Sequence, residues 1–348
     1  MRPEDKGMCL ILKPTELCNW NCEYCSSTNL VENKAQKLPI EKVFQFLDRF
    51  PKTQGIFVVG GDPLMMSPSY YENLLDYISR KNLETKVIIT TNLWDFYIKP
   101  EKWLSLFKHP KFEVGTSFQY GLERKISKNL YLTEDLFIKI YNKFTSLLDY
   151  PLYFLSVVDD TNEHLAMDSV LLAKKLGTQC ALTWAVSSGL QKKPFLSAKM
   201  FKIYMDIYHQ GLTEYEKTVY DLVKKVGGLD MACPMNRSCG HWMRSLNPDG
   251  RYFFCGPLND DLDSRAELSF EDEIIKGKVL GDVAIHSDWQ YLKEECLTCD
   301  MFDFCNGCRK VIKDTKGHGL VEDQCTMMLS LRDGLLEVAK DEMAAAVC

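Results

Sequence analysis

Short apolar runs alternate with amphipathic stretches through the first half of the chain. Met8–Lys13 (MCLILK) predicts a strand, and Pro39–Phe50 predicts an amphipathic helix opened by proline. Ile56–Val59 and Pro68–Lys81 repeat the pair, followed by Val87–Thr91 with Pro100–Phe107. Phe112–Ser117 with Thr133–Leu148 and Leu152–Val158 with Leu165–Leu176 continue it, and Cys180–Val186 predicts a sixth strand. Apolar runs of roughly 4–8 residues between helices predict parallel strands buried on both faces. Regular strand–helix alternation predicts an α/β fold, as a barrel or an open doubly wound sheet.

The pattern changes after about residue 190. Phe195–His209 and Glu214–Val226 predict helices, and Leu329–Ala345 predicts a closing helix. From Cys233 to Cys325 there are eight cysteines, several Gly and Pro, and little periodicity. Such a stretch buries too little apolar surface to order itself and calls for staples. The expected organisation is a barrel over 1–190, a helical linker over 191–232, a cysteine-rich domain over 233–328 and a terminal helix over 329–348.

Composition narrows the classes. Hydrophobic residues make up 46% and charged residues 26% of 348, the balance of an ordinary globular protein. The net charge of −6 and the absence of a long basic run favour neither nucleic acid nor an anionic membrane. No run reaches the roughly 18 apolar residues of a membrane span. The N-terminus lacks a signal-peptide core, which predicts a cytoplasmic protein. Fourteen cysteines in that compartment point to metal rather than disulfides.

Cys18, Cys22 and Cys25 form C-x3-C-x2-C just after the first strand, at the strand end where parallel α/β sheets place ligands. Three thiolates can each bind one iron of a cubane cluster and leave the fourth iron open. The alternative is zinc, but no fourth ligand lies near, the earliest histidine being His109. The motif, with the aromatic Tyr24 before its last cysteine, resembles the signature of radical S-adenosylmethionine (SAM) enzymes. The resemblance implies a partial (β/α)6 barrel and a [4Fe–4S] cluster whose open iron chelates SAM. Reductive cleavage would then give a 5′-deoxyadenosyl radical that abstracts hydrogen from substrate.

Gly60-Gly61-Asp62-Pro63 looks like that family's Gly-Gly-Glu-Pro segment, which contacts the methionyl amino group, with Asp for Glu. The glycines would let backbone approach a ligand closely, with Asp62 in support. Thr91, Asn92 and Ser117 end the third and fourth strands, where the family touches SAM. Gln119 stands where the family has an acid and receives no catalytic role. Arg124 is a candidate for the SAM carboxylate, the alternative being a solvated surface arginine.

The second cysteine group resembles the SPASM domain, an extension of some radical SAM enzymes. Its intervals match except for x2 between Cys305 and Cys308, where the family has x3. The resemblance implies two further [4Fe–4S] clusters, three in all. One takes Cys233, Cys239, Cys255 and Cys308; the other takes Cys296, Cys299, Cys305 and Cys325. Paired zinc sites are the alternative, against which the five-residue gap between the C-x2-C pairs argues. Cys9 and Cys180 are expected in the core.

SPASM enzymes mostly modify peptides or proteins, and fully ligated clusters would accept an electron from the substrate radical. The expected function is a radical SAM oxidoreductase acting on a peptide or protein side chain, supplied by a reductant such as flavodoxin or ferredoxin. The alternatives are the same chemistry on a sugar or cyclitol, and a non-enzymatic iron–sulfur or zinc module. A triad beginning at Cys18 leaves no room for an N-terminal peptide-recognition domain. Gly256 and Pro257 stand where sulfatase-maturing members carry an Asp base. Asp260, Asp261 and Tyr252 are the candidate base or substrate contacts, with Asp263 and His241 beside them. The alternative for the acids is a solvated turn.

Overall fold

A computed structural model describes residues 7–28, 30–216, 218, 238–278, 294–299, 301–302 and 308–345. Six strands run parallel: β1 (Cys9–Leu12), β3 (Gly55–Val58), β4 (Lys86–Thr90), β5 (Phe112–Ser117), β8 (Tyr153–Val158) and β9 (Cys180–Trp184). They lie side by side in chain order with no reversal. A doubly wound sheet would show a switch point, so this order is that of a partial barrel.

The intervening helices cover one face. They are α1 (Ile40–Arg49), α2 (Pro68–Arg80), the short α3 (Trp94–Ile98) and α4 (Leu104–Phe107), α5 (Glu134–Leu147), α6 (Ala166–Leu176) and α7 (Ser197–His209). Leu10, Leu12, Ile56, Val58, Val87 and Ile89 point into that layer and are buried. The alternate residues Ile11, Ile88, Leu155 and Val157 are only partly covered, and Phe57 is 37% exposed. The expected burial on both faces is therefore replaced by alternation, because six strands leave the barrel open.

The helix expected over Pro100–Phe107 is split into a 3-10 turn, Pro100–Lys102, and α4. Of the helix expected over Glu214–Val226, the described start is a turn, and Glu216 bridges Cys180 beside β9. Residues 219–226 lie outside the described ones. The last helix begins earlier than its apolar pattern, as Val321–Ala345.

The cysteine-rich part holds strands that the sequence pattern hid. β10 (Met243–Leu246) pairs in parallel with β1, in register Cys9↔Met243 to Leu12↔Leu246. β11 (Tyr252–Phe253) and β12 (Glu267–Leu268) follow antiparallel and extend the sheet. The segment reaching Cys255 is thus stitched to the strand that feeds the first cysteine loop. A small second sheet joins β2 (Asn21–Cys22), β6 (Arg124–Ser127) and β7 (Leu130–Tyr131). The remaining helices are α8 (Gly256–Asp260), α9 (Arg309–Gly317) and α10 (Val321–Ala345).

β10 escaped notice because Arg244 breaks its apolar run. Arg244 is 1% exposed and grips Glu273, 0% exposed, through Nε at 2.8 Å and Nη2 at 2.6 Å. Its Nη1 also donates to the carbonyls of Gly240 and Met243, both at 2.8 Å. Removing one partner of such a pair strands a buried charge, whereas removing both is far milder. Glu273→Leu should destabilise the fold by about 3–5 kcal/mol, and adding Arg244→Met should recover most of that loss. Chemical denaturation of the two variants beside wild type checks the order.

Candidate active site

The loop after β1 carries the first three cysteines to the end of the sheet. Trp20 N–H donates to Cys18 Sγ at 3.4 Å, and Cys25 N–H donates to the Cys22 carbonyl at 3.3 Å, folding the loop back. Cys22 lies in β2, opposite Arg124 in β6. Desolvation pushes the Cys18 thiol up to about 12, with Asp62, Cys22 and Cys25 adding to the rise. Cys22 and Cys25 are likewise raised, chiefly by desolvation, while Arg124 pulls both down.

Three thiols that feel one another's charge ionise together only beside a cation, which is what metal binding supplies. Three thiols on one loop are the donor chemistry of a cubane that leaves one iron open, and Cys18, Cys22 and Cys25 are the residues that would hold it.

Gly60 and Gly61 lie against the chain's own backbone. Gly61 N–H donates to the Thr15 carbonyl at 3.1 Å, and Asp62 N–H to the Leu17 carbonyl at 2.7 Å. A Cβ on Gly61 would stand 2.1 Å from the Leu17 carbonyl oxygen, and one on Gly60 2.7 Å from that of Thr15. Gly60 also adopts φ +117°, which L side chains avoid. Pro63 opens a 3-10 turn, Pro63–Met65, capped by Asp62.

Asp62 is 1% exposed and turned away from solvent. Its Oδ1 accepts from Leu64 N–H at 2.8 Å and Thr91 Oγ1 at 2.9 Å, and its Oδ2 accepts from Asn92 N–H at 2.9 Å. Burial raises its pKa, opposed by these donors. Asn92 Nδ2 in turn donates to Asn19 Oδ1 at 2.6 Å and lies 3.9 Å from Cys18 Sγ. The acid thus fastens the ends of β3 and β4 to the cysteine loop.

On the other side of the loop, Arg124 is 8% exposed, which removes the solvated-arginine alternative. Its Nε and Nη2 donate to Gln119 Oε1 at 3.0 and 2.6 Å, and Nη1 to Ser117 Oγ at 2.7 Å. Its guanidinium lies 5.6 Å from the centre of the Tyr24 ring, whose hydroxyl accepts from Gln119 Nε2. Burial raises the Tyr24 pKa. Gln119, given no role from sequence, is the centre of this cluster; its departure from an acid was the only signal.

The acids after Cys255 are not a solvated turn. Asp260 accepts from the buried Lys13 ammonium and from Ser27 Oγ at 3.1 Å, which sets it against the cysteine loop. Asp261 accepts from Ser188, from Lys310 at 2.8 Å and from Lys313 at 2.7 Å. Burial would raise its pKa, but these donors hold it below the usual carboxylate range. Asp263, bonded chiefly to Arg265, is also held low. Tyr252 stands elsewhere: it is 1% exposed, edge-on to Phe270 at 5.3 Å and Phe46 at 6.5 Å in the helix-side core. The structure does not bring Tyr252 to the site. His241 ends a 3-10 turn, Ser238–His241, before β10.

Cys255 precedes α8 and Cys308 precedes α9, both buried. Burial pushes the Cys308 thiol up. Cys296 and Cys299 are half-buried, and Cys325 is exposed on α10. Cys239 is described in its backbone only, and Cys233 and Cys305 lie outside the described residues. Cys9 and Cys180 are buried in β1 and β9, as expected.

Comparison with known proteins fits this geometry. Residues 12–145 match the family model of the Radical SAM superfamily. YfkA of Bacillus subtilis (strain 168) is 30% identical over 77 residues, 21% of this chain. That match spans about a fifth of the relative, 21% of its length. The solved structure of native anSMEcpe with bound AdoMet covers 96% of this chain and 99% of that one, at 19% identity and a TM-score of 0.71. Native anSMEcpe with AdoMet and Cp18Cys peptide covers 97% of this chain and 99% of that one, at 18% identity and a TM-score of 0.73. Streptococcus suis SuiB bound to precursor peptide SuiA covers 87% of this chain and 71% of that one, at 16% identity and a TM-score of 0.57. At such identities the likeness shows the fold.

Gly61→Ala should break the contact that holds the cysteine loop, and anaerobically reconstituted protein should then lose about four irons per chain. Gly317→Ala, where an added Cβ meets nothing within 4 Å, should load iron as wild type does. Iron and sulfide analysis of both variants decides it.

Proposed function

From the match of residues 12–145 to the Radical SAM superfamily, we propose that this chain abstracts hydrogen from a side chain of a peptide or protein. The observation that carries the reading is the pairing of three clustered thiols with a buried arginine that meets only neutral partners among the described residues. Cys18, Cys22 and Cys25 would hold a [4Fe–4S] cluster, and Arg124 with Ser117 would face the carboxylate of SAM. When bound, that pair of cofactors supplies a carbon radical able to take a hydrogen atom from an unactivated carbon.

The chain's own residues prepare the place. Asp62 fixes Thr91 and Asn92, and Asn92 fixes Asn19 in the cysteine loop. The Tyr24 ring packs 5.6 Å from the Arg124 guanidinium, while Cys22 stands opposite Arg124 across the small sheet. Among the acids after Cys255, Asp260 borders the first cysteine loop through Ser27, so Asp260 is the one proposed to contact substrate. Asp261 is committed to Lys310 and Lys313 and is a poor proton acceptor.

A peptide substrate is favoured by the solved neighbours that hold peptides, anSMEcpe with Cp18Cys and SuiB with SuiA. The C-terminal cysteines are proposed to hold two further clusters that take the electron left on the substrate. The electron donor would be a flavodoxin- or ferredoxin-like protein. No helix among the described residues is long and apolar enough to cross a membrane.

Anaerobic reconstitution should give about twelve irons per chain, and reduction with dithionite should convert SAM to 5′-deoxyadenosine. Cys22→Ala should lose about four irons together with all cleavage, while Cys299→Ala should lose about four and still cleave SAM. Stable zinc binding without SAM cleavage in the wild type would overturn the reading.

A further inference from the structure

Arg124 is nine-tenths buried, yet its fork closes on an amide rather than an acid. Gln119 Oε1 takes two of its N–H groups and Ser117 Oγ a third. A guanidinium carries five donors, so two remain. Among the described residues no carboxylate pairs with it. A carboxylate at position 119 would bind the same fork more strongly, but it would also cancel the charge. Gln119 Nε2 meanwhile holds the Tyr24 hydroxyl, next to Cys25 in the chain. The same side chain therefore orients the cation and the aromatic beside the cysteines without neutralising either.

We infer that Gln119 is a positioning residue that keeps Arg124 as an unneutralised cation aimed at an incoming carboxylate. This rests on the proposed function, in which the carboxylate is that of SAM. A buried cation lacking a counter-ion is costly until an anion arrives, so the site would be built to gain its missing partner from the cofactor. The neutral amide makes that gain available, and an acid would forfeit it.

The test uses anaerobically reconstituted full-length protein, with SAM dissociation constants measured without reductant. Gln119→Leu, which loses the fork but adds no charge, should weaken SAM binding about threefold. Gln119→Glu should load iron normally and weaken binding about tenfold or more, the worth of one charge-assisted hydrogen bond. Gln119→Glu binding as tightly as wild type, or more tightly than Gln119→Leu, would overturn the inference, because a purely structural role favours the isosteric acid. A second measurement does not depend on that variant. Arg124→Gln should shift the midpoint potential of the cluster to lower values, since an unneutralised cation favours the reduced form; an unchanged potential overturns the inference. Wild-type protein that loads iron but binds no SAM would sink the proposed function, a result distinct from either outcome above.

Discussion

The backbone contact between Gly60-Gly61 and the carbonyls of residues 15–17 is the constraint on which the site depends. It ties the end of β3 to the loop leaving β1, and no side chain fits between the two segments. Asp62 then extends the tie to β4 through Thr91 and Asn92, and Asn92 returns it to Asn19. Three consecutive segments of the sheet thereby hold one loop. This lattice of short bonds fixes the path of the cysteine loop before any ligand arrives.

Charge is distributed in two ways around that loop. Several ion pairs are closed: Lys13 with Asp260, Arg244 with Glu273, and Asp261 with Lys310 and Lys313. The first joins the end of β1 to α8, the second joins β10 to the turn at 271–275, and the third joins the end of α8 to α9. Arg124, by contrast, meets only neutral hydrogen-bond partners among the described residues. Closed pairs cost desolvation and return rigidity, whereas an open cation in a sheltered place returns affinity for an anion.

Much of the barrel was legible in the chain. The six strands and most helices fall within a residue or two of their periodic signals, since burial against one helix layer imposes that periodicity. Elements that packing rather than pattern created were not legible. β10 is a strand because β1 offers an edge and Glu273 satisfies Arg244. The helix expected after Pro100 broke into a 3-10 turn and the short α4. Residues on the inner face were expected to be buried, and the open barrel leaves Phe57 partly bare.

The site divides along the same line. Local spacing by itself determined the cysteine triad, the paired glycines and the chemistry they point to, because the intervals within one short loop fix which thiols can sit together. Only tertiary structure decided which side chains meet it. It placed Asp260 against Ser27, took Tyr252 into the core, and made Gln119 the partner of Arg124 and Tyr24. Those choices depend on where distant strands end and on which charges remain unpaired after burial, and neither quantity exists until the chain has folded.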